Sequence, residues 1–234
     1  MLITTSPQEL LSTIRSRSQS VMFNALPADV ILPALIAQGM NNDDAQLLTR
    51  LSNGSLGKAI LWSKDIQTAE IRNARDAQRN AKKTKDADED EEETRFTPGG
   101  ILIWTRNLGQ GLDGLITGTV FGTEIGTLMT QCAEEYAALQ VLRDPLSSKA
   151  QATRDGMALM LGIAADWFAD RLRQGLGVPL DDITLPAATA GMDPVLARQL
   201  IDAARRAEQN MDANANTKLL AAATGTAWER LARG

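Results

Sequence analysis

Hydrophobic residues in the second half of the chain recur at spacings of three and four residues. One series runs from Ile125 to Leu139 and another from Met157 to Leu172. A third begins after Asp193-Pro194, and a fourth extends from Leu219 to Leu231. This spacing places apolar side chains on one face of a helix. The pattern therefore predicts that residues 99–234 form a purely α-helical domain.

Three shorter apolar stripes occur nearer the N-terminus, at Val30–Ile36, Ala45–Leu51 and Leu56–Ile60. Gly39 follows the first stripe and Asn53-Gly54 follows the second, and both are typical C-terminal stop signals of helices. The pattern predicts a small bundle of three helices.

Ahead of these stripes, the sequence predicts a strand, a helix and a second strand. Residues 2–5 are typical of a short buried strand. Ser6-Pro7-Gln8-Glu9 is a capping box with proline at the first helical position. A helix is therefore expected from about Pro7 to Arg15. Apolar and other residues then alternate over 21–26, as in a half-buried strand.

Residues 64–95 are almost all polar, with a basic half followed by an acidic half. Such a segment cannot bury enough apolar surface to offset the entropy of ordering it. We therefore expect a charged linker over 65–98. Seven acidic residues between 86 and 93 outweigh the net charge of -5, so the rest of the chain carries about +2. The acidity is local and says little about partners.

The composition argues against several classes of chemistry. The chain contains no histidine, and Cys132 is its single cysteine. Internal disulfides and Ser-His or Cys-His catalysis are thereby excluded, and a metal site is not expected. The N-terminus shows no signal-peptide pattern, and no apolar run approaches the length of a membrane span. The sequence predicts a cytoplasmic protein without membrane contact.

A glycine-rich segment, Gly109-Gln110-Gly111-Leu112-Asp113-Gly114, has the spacing of a dinucleotide-binding fingerprint, with Glu134 roughly twenty residues further on. No second strand follows it, so the pattern favours helix packing over cofactor binding. Four glycines then repeat every fourth residue and predict one smooth helix face for close packing. These are Gly114, Gly118, Gly122 and Gly126.

The N-terminal segment resembles the clamp-loader family of AAA+ proteins. From Leu2 to Gln19 it is similar to the family's sensor-1 strand and the pattern T-x-x-P-x-x-L-L-x-T-I-x-S-R-C-Q. Thr4 and Thr5 fall on the strand, and Ser18 replaces the family's cysteine. The positions that agree with the pattern are Pro7, Leu10, Leu11, Thr13, Ile14, Ser16, Arg17 and Gln19.

The resemblance implies a role for Arg17 as an arginine finger. In this family the arginine at that position reaches into the nucleotide site of the neighbouring subunit. A guanidinium is always charged and donates two parallel hydrogen bonds, which suits the γ-phosphate of ATP in the transition state. Without the resemblance, Arg15 and Arg17 would be interpreted as solvated cations that complement a helix dipole.

A second resemblance covers Leu51 to Ala59, which is similar to the family's S-x-G-S-x-x-x-A-L turn into the third lid helix. ATP-hydrolysing subunits carry the sensor-2 arginine at the position of Gly57, whereas delta-prime-type subunits lack it. Lys58 lies one residue further on and can partly compensate. The sequence also contains no G-x-x-x-x-G-K-[ST] phosphate loop.

A weaker resemblance lies at the other end of the chain. Asn214 to Leu220, together with Leu231-Ala232-Arg233, is similar to the ending of delta-prime-type subunits. An asparagine that caps an ordinary helix explains the first part equally well.

The resemblance implies a mainly α protein in four segments. Residues 1–19 would be a strand-helix remnant of the AAA+ core, 20–64 the three-helix lid, 65–98 the linker and 99–234 the helical collar. The core itself would precede residue 1, so Met1 is expected to be internal to a longer gene product.

The implied function is that of a non-hydrolysing subunit of the bacterial DNA polymerase III holoenzyme. It would have no cofactor of its own, contacting only the ATP of its neighbour. Its partners would be the other clamp-loader subunits in a ring, with the sliding clamp and primed DNA contacted indirectly. The alternatives are a gamma/tau-type ATPase subunit and a helical adaptor unrelated to replication.

Overall fold

The computed structural model describes residues 4, 7–65, 100–178, 185–186, 188, 190–212 and 216–234. Within these residues the chain is mainly α-helical and has no β-strand, as the apolar spacing predicts. None of the described helices is both long and apolar enough to cross a bilayer. The helices are α1 (Ser12–Arg15), α2 (Ala28–Ala37), α3 (Asn42–Leu51), α4 (56–65), α5 (Ile101–Thr117), α6 (Gly122–Arg143), α7 (Lys149–Gly175), α8 (Pro194–Asp212) and α9 (Thr217–Arg233).

The helix expected from Pro7 to Arg15 is interrupted. A 3-10 turn covers Pro7–Glu9, and the single turn of α1 begins only at Ser12. Between them Leu11 has an extended backbone, and its side chain is 70% exposed. Most helical stability in proteins comes from packing an apolar face. Neither short helix has a buried residue, so nothing holds them together as one helix.

Of the two predicted N-terminal strands, the first lies almost entirely outside the described residues, and the second does not form. Thr4 has no regular secondary structure, and residues 2, 3 and 5 lie outside the described part of the chain. The strand predicted over 21–26 is wrong, because this segment is irregular and Phe23 is 94% exposed. A strand needs a neighbouring strand and a covered face. The Leu26 N–H donates to the carbonyl of Gly54 at 2.9 Å, but the described residues contain no strand with which this segment could pair.

The three helices predicted after this segment are present at the expected positions. Asn41 caps α3, because its side-chain oxygen accepts a hydrogen bond from the backbone N–H of Asp44 at 2.9 Å. Gly39 and Gly54 follow α2 and α3 with φ values of +87° and +79°, which glycine adopts without strain. Helices α2, α3 and α4 are called the bundle below. Its central side chains are Ile31, Leu35, Leu48 and Ala59.

Helices α5 to α9, called the helical domain below, surround a core that contains aromatic rings in edge-on contact. Phe168 contacts Trp167 and Trp228 edge-on, with ring centroids 5.5 Å and 5.4 Å away. Each buried indole N–H has a partner: Trp167 donates to the carbonyl of Pro186 at 3.0 Å, and Trp228 to that of Leu200 at 3.1 Å. These bonds remove the cost of burying a polar group.

The four regularly spaced glycines do not share one helix. Helix α5 ends at Thr117, Gly118 follows with a φ of +81°, and α6 begins at Gly122. Gly122 and Gly126 both lie against α9. The expected smooth helix face is therefore formed by these two glycines and not by all four. A glycine in the left-handed region ends a helix, and this overrides the spacing.

The dinucleotide-like segment lies in the middle of α5 and not in a loop before a helix. Gly109 is in contact with the chain around Pro186, because a Cβ at this glycine would lie 2.4 Å from the Pro186 carbonyl oxygen. Asp113 forms an ion pair with Arg171 at 2.6 Å. The segment therefore has a packing role and presents no phosphate-binding loop.

Candidate functional site

Arg17 lies in the turn directly after α1. Its backbone N–H donates to the carbonyl of Ile14 at 3.2 Å, and its side chain is exposed. Arg15, in the last turn of α1, is also exposed. The predicted finger residue is therefore accessible to another molecule. A short irregular segment separates it from the first helix of the bundle.

Gly57 lies in the first turn of α4. Ser55 precedes this helix, and its hydroxyl accepts the backbone N–H of Lys58 at 3.3 Å. A Cβ added at Gly57 would meet no atom within 4 Å. The fold would thus accept a side chain at this position, so the missing arginine is a property of the sequence and is not imposed by packing.

The remaining residues of the predicted site are Thr4, Thr5 and Lys58. Thr4 is exposed, and Thr5 lies outside the described residues. Lys58, next to Gly57, lines a groove of about 1190 Å³ between the bundle and α7. We call this the α7 groove. Its apolar lining includes Leu26, Leu32, Leu51, Ala158, Leu159 and Ile163.

A buried ion pair stands beside this groove. The guanidinium of Arg50, at the end of α3, lies 2.6 Å from Oδ1 of Asp170 on α7. Asp170 is fully buried, and its Oδ2 accepts the backbone N–H of Leu185 at 3.0 Å. Arg173 lies 3.6 Å from Oδ1 of the same carboxylate. The buried charge is therefore compensated from three directions, as a stable buried carboxylate requires.

Sequence reasoning missed this pair. The signal was a carboxylate within the apolar stripe of α7, three residues after the buried Trp167. Such a residue is almost always paired. Its partner Arg50 lies 120 residues away, and no spacing rule connects the two.

Asp166 is a second carboxylate on the same wall. Burial by the surrounding protein raises the pKa of Asp166 above its ordinary value. The charges of Arg50 and Arg173 oppose this shift, whereas that of Asp170 adds to it. The surroundings of Asp166 therefore disfavour its charged form.

Cys132 has no features of a reactive thiol. It is buried in α6, and burial, with a contribution from Glu135, raises the pKa of Cys132 to about 12. A thiol must ionise to act as a nucleophile. Among the residues described by the structure, no cluster of three potential metal ligands occurs.

Comparison with protein-family models, with curated proteins and with solved structures found no match to this chain. Its function is therefore inferred from its own residues. Two features carry that inference: the exposed corner at Arg17, and the glycine at position 57 in the following bundle.

Proposed function

We propose that this chain is the lid and collar part of a non-hydrolysing, delta-prime-like subunit of the bacterial clamp loader, a cytoplasmic assembly that places the sliding clamp on primed DNA. The observation that carries the proposal is the accessible guanidinium of Arg17 ahead of a three-helix bundle. The motif around Arg17 supports the family, and Gly57 supports the non-hydrolysing type.

Arg17 would act on the nucleotide of the neighbouring subunit. Its planar guanidinium donates two parallel hydrogen bonds to phosphate oxygens and stays charged at every physiological pH. At the γ-phosphate it would stabilise the charge that develops during transfer to water. Because glycine stands at position 57, where ATP-hydrolysing subunits of the family carry the sensor-2 arginine, this subunit would contribute to its neighbour's hydrolysis without hydrolysing ATP itself.

The two helical parts would have different tasks. The bundle corresponds to the lid, and its position directly after Arg17 supports this assignment. The helical domain corresponds to the collar, which would hold the subunit in the ring through contacts with the other subunits. Ring assembly and finger activity are then separable, and a substitution at the exposed corner should affect only the second.

The proposal is tested by Arg17→Ala in a clamp loader reconstituted with this chain. We expect intact assembly and a decrease of at least about tenfold in clamp- and DNA-dependent ATP turnover at the neighbouring site, since trans-acting arginines contribute roughly 10³ to 10⁵ elsewhere. Arg15→Ala is the matched control, because Arg15 is exposed on the same corner. Equal turnover in the Arg17→Ala and unsubstituted assemblies would reject the finger role.

The alternatives are separated by two further observations. An ATPase subunit of the gamma/tau type would bind nucleotide in its full-length form, and a delta-prime-like subunit is expected to support no hydrolysis of its own. An unrelated helical adaptor would not co-purify with clamp-loader subunits at all. Co-purification without intrinsic ATP turnover is the result that the proposal predicts.

A further inference from the structure

Four apolar side chains line the α7 groove without being fully buried. Leu32 and Leu51 belong to the wall formed by the bundle, and Ala158 and Leu159 belong to the wall formed by α7. Gly162, on the same wall of α7, adds open space, because a Cβ there would meet no atom within 4 Å. The groove therefore has room for apolar side chains that come from elsewhere.

An exposed apolar run lies a few residues before the edge of this groove. Val21, Met22 and Phe23 are 67%, 75% and 94% exposed, and none of them lines the groove. We call these three residues the arm. The arm exposes on the order of 400 Å², since one phenylalanine alone can bury roughly 150–250 Å². Monomeric proteins rarely expose more contiguous apolar surface than a few hundred Å². The arm is therefore expected to be covered by another surface.

The chain is fixed just after the arm. The backbone N–H of Leu26 donates to the carbonyl of Gly54 at 2.9 Å, and Leu26 itself lines the groove. Ala25 packs on the same glycine, because a Cβ at Gly54 would lie 2.4 Å from the Cβ of Ala25. The arm thus extends from a fixed point at the edge of the groove. Arm and groove are neighbouring patches of one surface.

We propose that the α7 groove of one chain binds the arm of a second copy, and that this exchange forms a two-fold symmetric dimer. A two-fold interface joins the same patch of both copies, so an apolar arm beside a groove with apolar walls is self-complementary. Two covered arms and two covered grooves would bury on the order of 1,600 Å², the size of a standard stable interface. Residues 18–28 carry no charge, so the exchange leaves no arm charge without a partner in the groove.

The arm can also reach the groove of its own chain. Phe23 is three residues from Leu26, a span of at most about 11 Å. A chain that covered its own arm would stay monomeric, so the oligomeric state separates closure within one chain from exchange between two. The exchange does not involve Arg17, and it holds or fails independently of the proposed function.

The test is sedimentation equilibrium of the full chain up to about 100 μM, since interfaces of this size bind with micromolar or tighter affinity. We expect the average mass to rise from that of one chain to that of two. Phe23→Ser should weaken the dimer by at least about a hundredfold, because two-fold symmetry removes two buried anchors. The mass of a single chain at every concentration would overturn the proposal.

Leu146→Ser is the matched control for Phe23→Ser. Leu146 is 95% exposed in the loop between α6 and α7, and it does not line the groove. We expect this variant to leave the monomer–dimer equilibrium unchanged. Equal weakening by the two substitutions would mean that general surface hydrophobicity causes the association, and this result would also overturn the exchange.

Gly162→Leu tests the groove side of the same contact. The new side chain enters open space, and leucine favours a helix more than glycine does, so the fold is retained. The leucine would occupy space that the arm needs, and the dimer should weaken by at least about tenfold. A dimer of unchanged affinity would place the arm somewhere other than this groove.

Crosslinking identifies which surfaces meet. Chains with Phe23→Cys are mixed with chains with Ala158→Cys, and a short bismaleimide joins thiols that lie close together. The native Cys132 is 2% exposed and stays unreacted. We expect peptides joined from the arm of one chain to the groove of another, whereas Leu146→Cys in place of Phe23→Cys should give none. A chain with both Phe23→Cys and Ala158→Cys that links only within itself would show closure on its own groove and overturn the exchange.

Discussion

Two helix interfaces in this molecule are packed in opposite ways. Where α6 meets α9, backbone lies directly on backbone: a Cβ at Gly225 would be 1.9 Å from the carbonyl oxygen of Gly122. Where the bundle meets α7, an open groove separates the walls, and Arg50 reaches across to Asp170. The first contact excludes any added atom, whereas the second leaves open space between its walls.

The difference shows that one chain contains both a close-packed backbone interface, between α6 and α9, and an interface with open space, between the bundle and α7. Close-packed backbone has no alternative arrangement at low energy, because any displacement creates clashes or voids. Charged contacts across a groove can be exchanged for other partners or for water. The glycine contacts between α6 and α9 should therefore stay constant, whereas the exposed Arg106–Asp44 pair between the bundle and the helical domain should respond to salt.

The largest expected effect comes from breaking the backbone contact. Gly225→Ala would place a methyl group against the Gly122 carbonyl, and neither backbone can move without separating α6 from α9. We expect a loss of about 3 kcal/mol in the free energy of unfolding, at the upper end of the range for overpacking. Urea denaturation followed by circular dichroism measures this loss.

Gly162→Ala is the matched control for that substitution. Gly162 also lies inside a helix, but a Cβ there would meet nothing within 4 Å. Since alanine favours helix over glycine, this variant should be more stable by about 0.5–1 kcal/mol. If both variants lost stability equally, the close contact with Gly122 would not be the cause of the loss in Gly225→Ala.

A smaller effect is expected at the edge of the second interface. Arg106→Ala removes the pair with Asp44, and the half-exposed arginine makes this a surface contact. Such pairs contribute about 0.2–1 kcal/mol, and salt reduces them. The variant should therefore be slightly less stable in low salt and nearly equal to the unsubstituted chain at about 1 M NaCl. A loss that persists in high salt would assign Arg106 a packing role instead.

Apolar spacing was sufficient to predict most of the fold. The stripes of α6, α7 and α9 and the three helices of the bundle are where the sequence places them, because burial of one helix face determines both pattern and structure. The strand predicted over 21–26 failed, since alternation alone cannot supply a neighbouring strand. A strand is defined by contacts that are distant in sequence, whereas a helix is local.

The candidate site likewise has features that are local in sequence and features that depend on distant contacts. Arg17 and Gly57 stand out through local motifs, and the structure leaves both accessible. The Arg50–Asp170 pair and the α7 groove arise only when α3 and α7 meet, and no local pattern encodes their meeting. Motifs therefore point to the chemistry that a segment brings, and the three-dimensional fold is needed to see the contacts between distant segments.

The smallest expected effect is that of Asp166→Asn, at the wall of the α7 groove. Because the pKa of Asp166 is raised by burial, the folded chain binds this proton more tightly than the unfolded chain does. Stability contributed by the protonated form is thus lost as pH rises from the ordinary value of 3.8 through the raised one. At neutral pH the neutral amide should be more stable by less than about 1 kcal/mol, since solvent in the open groove screens the charge.

Asp155→Asn, on the exposed side of the same helix, is the control for the charge change itself. Thermal unfolding between neutral and mildly acidic pH should show the gain of Asp166→Asn shrinking as pH falls, while equal behaviour of the two variants would mean that burial in the groove wall is not what disfavours the Asp166 charge.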